Sequence, residues 1–142
     1  MSAAPSKRTL GRMLAVQALF FLESADFERI EACLADFWQS LDEPTPKAAV
    51  RFSEELVRGV AANLQKLDEA LQEQSESWKV ERMARVDRNV LRLGAYELLF
   101  TDTPAKVIIN EAIEIARTYG AEGSPAFVNG ILDRLAREHQ RL

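Results

Sequence analysis

The chain has little of what most active sites are built from. One cysteine, Cys33, and one histidine, His139, stand among 142 residues. A lone thiol excludes an internal disulfide framework and a cysteine-based zinc site. A lone imidazole excludes a histidine cluster, so no metal is expected. No stretch approaches the ~18 uninterrupted apolar residues of a membrane-spanning helix. Met1–Arg12 lacks the apolar core and cleavage signal of a secretory leader, and a cytoplasmic location is expected. Gly120, Gly123 and Gly130 match no phosphate-binding loop. No serine lies in a nucleophile-elbow context. Catalysis and a cofactor are therefore not expected.

What is present describes an ordinary globular chain. It is 47% hydrophobic and 28% charged, which argues against wholesale disorder. Its length suits one domain or two small subdomains sharing a core, placed here at residues 1–78 and 79–142. A fold of this size buries roughly 68–70% of its unfolded surface without staples. Cys33 reads as a small core residue and His139 as a surface residue near a helix end.

Charge is distributed unevenly. The net charge of −4 argues against a chain that binds nucleic acid over its whole surface. Yet Lys7, Arg8 and Arg12 precede the first carboxylate, Glu23. Between Asp68 and Glu81 the sign reverses: Asp68, Glu69, Glu73, Glu76 and Glu81 face only Lys79. The chain is thus polar in the electrostatic sense, and ordinary solvated faces are the plainer explanation of such runs.

The periodicity is helical throughout. Apolar residues predict six or seven helices, near Lys7–Leu22, Asp26–Ser40, Pro46–Val60, Ala61–Gln74, Val86–Phe100, Pro104–Tyr119 and Pro125–Gln140. Thr45-Pro46, Thr103-Pro104 and Ser124-Pro125 read as helix starts, each with a hydroxyl able to cap the new helix. Gly120 reads as a stop, Gly59 as a bend, and Trp78–Ala84 as a short connecting turn. The expected class is all-α, with short linkers between antiparallel neighbours.

Three of these segments carry the candidate binding residues. In the first, Arg8 and Arg12 share a face at a basic, exposed tip. The run Met13–Leu22 has Gln17 as its one polar residue and should enter the core. In the fifth, Arg85, Arg88, Asn89 and Arg92 form one polar arc, while Asp87 and Glu97 fall among apolar residues. An inward carboxylate needs a partner, and an arginine from another helix is the natural one for Glu97. Asp87 suits an edge where another protein docks. In the last segment, Phe127 lies in the first turn at the rim of the stripe Val128, Ile131, Leu132, Leu135. Such a ring either joins the core or stacks on a base beside the free N–H groups. Glu111 and Glu114 read as a solvated outer face.

The chain resembles the NusB family. The resemblance rests on Val107-Ile108-Ile109-Asn110-Glu111-Ala112-Ile113-Glu114-Ile115-Ala116, Tyr119-Gly120, and Phe127-Val128-Asn129-Gly130-Ile131-Leu132-Asp133. Arg12 with Ala15-Val16-Gln17-Ala18-Leu19-Phe20, and Asp87 with Val90-Leu91-Arg92-Leu93 and Tyr96-Glu97-Leu98, support it. It implies an all-α fold of two small packed helical bundles. It further implies a transcription antitermination factor that binds boxA RNA of ribosomal RNA transcripts with the ribosomal protein NusE and joins the elongating RNA polymerase. No cofactor is implied.

Carried over residue by residue, the resemblance implies RNA binding by Lys7, Arg8, Arg12 and Phe127, and NusE binding by Phe20, Glu81 and Asp87. Thr9, Leu10 and Gly11 thin the basic motif, and Gly123 and Ala126 replace polar residues seen in some relatives. A homodimer is a further state implied for some members. Two other readings stay open: a protein–protein scaffold with weak RNA affinity, and the RNA-recognition module of an rRNA methyltransferase. The end at Leu142, with no cofactor-binding domain, favours a free-standing factor over the latter.

Overall fold

The computed structural model describes residues 5–142. The leader-free reading of Met1–Arg12 falls partly on residues 1–4, which lie outside the described residues. The chain forms α1 (Lys7–Ala25), α2 (Ile30–Ser40), α3 (Lys47–Ala62), α4 (Leu64–Gln74), α5 (Arg85–Phe100), α6 (Ala105–Tyr119) and α7 (Ser124–Glu138). Single 3₁₀ turns occupy Phe27–Arg29 and Val80–Arg82. No strand occurs among the described residues, and the fold is all-α, as the periodicity predicts.

The helix boundaries follow local chemistry, with instructive differences. Ser6 caps α1, its hydroxyl accepting from the Thr9 N–H at 3.0 Å. The threonines before Pro46 and Pro104 do not cap α3 and α6. Proline itself occupies the N-cap there, so each threonine stands one residue too far out. The Pro46 and Pro104 carbonyls accept from Val50 and Ile108, both at 3.1 Å. Ser124 lies inside α7, and its hydroxyl turns back to accept from the Ala121 N–H at 3.0 Å. The segment Asp26–Ser40 is divided, because the Asp26 carboxylate accepts from the Glu28 N–H at 3.0 Å and starts a 3₁₀ turn.

The bend expected at Gly59 is instead at Asn63, whose amide donates to the Gly59 carbonyl at 2.8 Å. Gly59 is inside α3 and makes room for Tyr96. A Cβ at this position would lie 2.2 Å from the Tyr96 Cζ.

Helix α5 is the axis of the packing. It touches α1 and α3 on one side, α6 and α7 on the other, and α4 besides. The remaining large contacts are α1 with α3 and α6 with α7. One continuous core runs through all seven helices, including Leu19, Leu34, Val57, Leu67, Leu91, Leu98, Ile108 and Leu132. Each fully buried leucine contributes about 1.5–3 kcal/mol. The helix ends that carry the candidate site are therefore held on a well-packed frame. Cys33 is in this core.

Candidate nucleic-acid and protein interface

At the start of α1, Lys7 and Arg8 are exposed, and neither pairs with a carboxylate among the described residues. The Arg8 guanidinium lies 4.4 Å from the centroid of the Phe52 ring, a cation–π contact that orients it.

Arg12 corrects the expectation of an exposed basic tip. It is 2% exposed. Its Nε and Nη2 donate to Glu97 Oε2 and Oε1 at 2.8 and 2.9 Å, a bidentate pair. Its Nη1 lies 3.7 Å from Glu111 Oε1. The cause is the residue before it. Gly11 lets α1 press onto α3, where a Cβ would meet Phe52 Cδ2 at 2.9 Å and the Ala49 carbonyl at 3.2 Å. From Gly11 to Leu19 the helix is buried or half-buried, and the free basic tip ends at Arg8. The arginine partner required by inward-facing Glu97 is thus Arg12. Glu111 is corrected as well: it is half-buried and accepts from the Thr9 hydroxyl at 2.7 Å. Glu114 is exposed as expected and pairs with Arg117.

Arg88, Asn89 and Arg92 of the α5 polar arc are also consumed internally, while Arg85 stays exposed. Arg88 pairs with Glu23 of α1 and donates to the Glu81 and Met83 carbonyls at 3.0 and 3.1 Å. Arg92 grips Asp68 of α4 with Nε and Nη2 at 2.8 and 2.9 Å. Asn89 donates to Glu23 at 2.7 Å. These bonds tie α1, α4 and α5 together and fix the turn Val80–Arg82.

Phe127 is half-buried, packed against the core in the first turn of α7. It faces Trp78, which the sequence reading passes over as part of a connector. Trp78 is 57% exposed. Both rings line a cavity of about 330 Å³ with Arg82, Met83, Ala84 and Asp87. They also line a second hollow of about 410 Å³ with Gln74, Ile131 and Arg134. Asp87 therefore lies in one cavity with Phe127, and its Oδ1 is buried without a hydrogen-bond partner. Arg82 makes no ion pair among the described residues. The signal that could have found Trp78 is an aromatic interleaved with basic residues, Trp78-Lys79 followed by Arg82.

The residues expected to bind a protein partner lie nearby. Phe20 and its neighbour Phe21 are 41% and 43% exposed at the far end of α1. The Arg85 guanidinium is 5.0 Å from the Phe20 ring centroid. Glu81 is exposed and lines an open groove of about 780 Å³ with Asp68, Glu69, Lys79 and Arg88.

The fold and these surfaces define a helical binding module, with aromatic rings and unpaired cations displayed at helix ends. The chain belongs to the NusB family, whose profile matches residues 9–137. It is 50% identical over 131 residues to the transcription antitermination protein NusB of Anaeromyxobacter dehalogenans, an alignment covering 92% of this chain and 91% of that one. It is 46% identical over 132 residues to the NusB protein of Myxococcus xanthus, covering 91% and 94%. A solved structure of NusB from T. maritima superposes with a TM-score of 0.79 at 42% identity, covering 99% and 98%. A chain from a crystal structure of antitermination factors NusB and NusE with double-stranded RNA shares the fold, at a TM-score of 0.83 and 20% identity, covering 95% and 99%. No helix among the described residues is long and apolar enough to cross a membrane.

Proposed function

We propose that this chain is a transcription antitermination factor that binds boxA RNA of ribosomal RNA transcripts together with NusE and joins the elongating RNA polymerase complex. The observation that carries the RNA half is Phe127, half-buried at a helix start and facing exposed Trp78, with Arg82 unpaired beside them. A ring at a helix N-terminus stacks on an unpaired base while the free N–H groups and nearby cations meet phosphate. Lys7 and Arg8 supply a second phosphate contact. Arg12 is withdrawn from that set and acts as the internal tie to Glu97. For NusE, the proposal keeps Phe20 and Glu81, an exposed ring and an exposed carboxylate suited to a basic ribosomal protein. Asp87, which also lines the Phe127 cavity, is kept with them as a proposed NusE contact.

Fluorescence anisotropy of labelled boxA RNA across a salt series, with and without NusE, tests the reading. Binding that tightens with NusE, prefers boxA over a scrambled RNA and weakens with salt is expected. No preference for boxA under any condition, with the protein folded, would replace this reading by a protein–protein scaffold.

A further inference from the structure

We propose that Arg88 is the positioning residue of the NusE-binding face, fixing in one geometry three contacts that come from three different elements; this rests on the NusE reading above. Those contacts are Phe20 on α1, Glu81 in the turn Val80–Arg82 and Asp87 on α5. Arg88 is the residue next to Asp87. Its Nη2 pairs with Glu23, one helical turn beyond Phe20 on α1. Its Nη1 donates to the Val80, Glu81 and Met83 carbonyls at 3.3, 3.0 and 3.1 Å. One guanidinium thus joins all three elements.

The turn needs such a clamp. Its own backbone bonds run from the Arg82 N–H to the Lys79 carbonyl at 2.9 Å and from the Met83 N–H to the Val80 carbonyl at 3.1 Å. A 3₁₀ turn of three residues is weak when held only by bonds of that kind. Glu81 is exposed, so its side chain does little to hold the turn. Gln72 anchors the entry to the turn, donating to the Trp78 carbonyl at 3.1 Å and accepting from the Val80 N–H at 2.9 Å. Arg88 holds the rest. Its own anchor is fixed in turn: Asn89 donates to the second Glu23 oxygen at 2.7 Å, and Arg92 lies 3.5 Å from it. Glu23, Arg88 and Glu81 line one open groove.

Arginine suits this place because its planar fork sends donors in two directions. One terminal nitrogen meets the carboxylate and the other meets the carbonyls. A lysine ammonium is a single point and fills one of the two places. A turn left loose must be ordered when NusE binds, and that cost appears as lost affinity. Arg85 reinforces the same joint from the first turn of α5. Its guanidinium donates to Ser24 Oγ and lies 5.0 Å from the Phe20 ring centroid.

The test is a double-mutant cycle on the intact chain, with NusE titrated calorimetrically below the melting temperature of every variant. Arg88→Lys should bind NusE about tenfold more weakly than the parent. Glu81→Ala should cost about tenfold in the parent and about threefold or less in the Arg88→Lys background, because the loosened turn no longer presents its carboxylate. A role in stability alone would lower Tm and leave the Glu81→Ala factor equal in both backgrounds. That result overturns the proposal, as does parental affinity in folded Arg88→Lys. Glu23→Gln releases the other end of the clamp with Arg88 in place, and it should shrink the Glu81→Ala factor likewise. It carries the same criteria if circular dichroism shows Arg88→Lys unfolded. A parent that binds NusE equally well with Glu81→Ala would remove Glu81 from the face and overturn the proposal with it. A parent that binds no NusE would overturn the NusE reading itself.

Discussion

Two arginine-bearing regions of this molecule behave in opposite ways. Along the seams where α5 meets α1 and α4, Arg12, Arg88 and Arg92 are each gripped by a carboxylate, to Glu97, Glu23 and Asp68. At the rim, Lys7, Arg8 and Arg82 make no such pair among the described residues. The seam uses charge to fix helix against helix. The rim keeps charge available for phosphate. In an acidic chain with net charge −4, binding capacity is set by the cations left over after internal pairing, not by their number.

The sharpest way to break the comparison is at Glu97. Glu97→Ala leaves the Arg12 guanidinium, 2% exposed, without its bidentate partner and with only Glu111 at 3.7 Å. Removing one partner of a buried pair costs about 3–5 kcal/mol. For a chain of this size that lowers Tm by roughly 10 °C or more, read by calorimetry. If Arg12 were available to RNA in the folded protein, the same variant would leave Tm nearly unchanged.

Phe127→Ala should act on the rim. Loss of one stacked base weakens RNA binding by about 1–3 kcal/mol, measured by anisotropy at a temperature where the variant is folded. The ring also packs on the core, so a modest fall in Tm accompanies it. An unchanged RNA affinity would make Phe127 a core residue only.

The double change Lys7→Ala, Arg8→Ala should leave Tm almost unaltered. It should flatten the salt dependence of RNA binding by about one unit in log–log slope per phosphate contact removed. An unchanged slope would remove the start of α1 from the interface. The contrast with Glu97→Ala is the point: four residues along one helix, from Arg8 to Arg12, separate a binding cation from a structural one.

The smallest expected effect lies at a surface pair outside both regions. Arg58 donates to Glu31 at 2.8 and 3.0 Å, and this hydrogen bond holds the Glu31 carboxyl below its ordinary pKa. A lowered folded-state pKa adds stability above the ordinary carboxylate range and loses it as pH falls through the folded value. Glu31→Gln should therefore remove a slight acid-side slope from a Tm–pH profile and change nothing at neutral pH beyond the small loss typical of exposed pairs.

Much of the scaffold was legible in the residues. The 3.6-residue spacing of apolar side chains located all seven helices, and the proline-marked boundaries fell within about two residues of the observed starts. The inward position of Glu97 could be read from its apolar neighbours, along with its need for an arginine. The binding surface was less legible. Arg12 looks like Arg8 in a sequence, and Trp78 looks like a connector residue.

The division has a physical cause. Helix periodicity, proline geometry and the cost of burying an unpaired carboxylate are local or nearly so, and the sequence by itself determined them. Which cation satisfies Glu97 depends on how closely α1 approaches α3, an approach permitted by the missing Cβ of Gly11. Which residues share a cavity with Phe127 depends on how the ends of α4, α5 and α7 converge. Phe127 is 40 residues beyond Asp87 along the chain and meets Asp87 and Trp78 because α7 packs against α4 and α5. The tertiary structure alone decided that meeting, because interhelix register is fixed by the whole core rather than by any one segment.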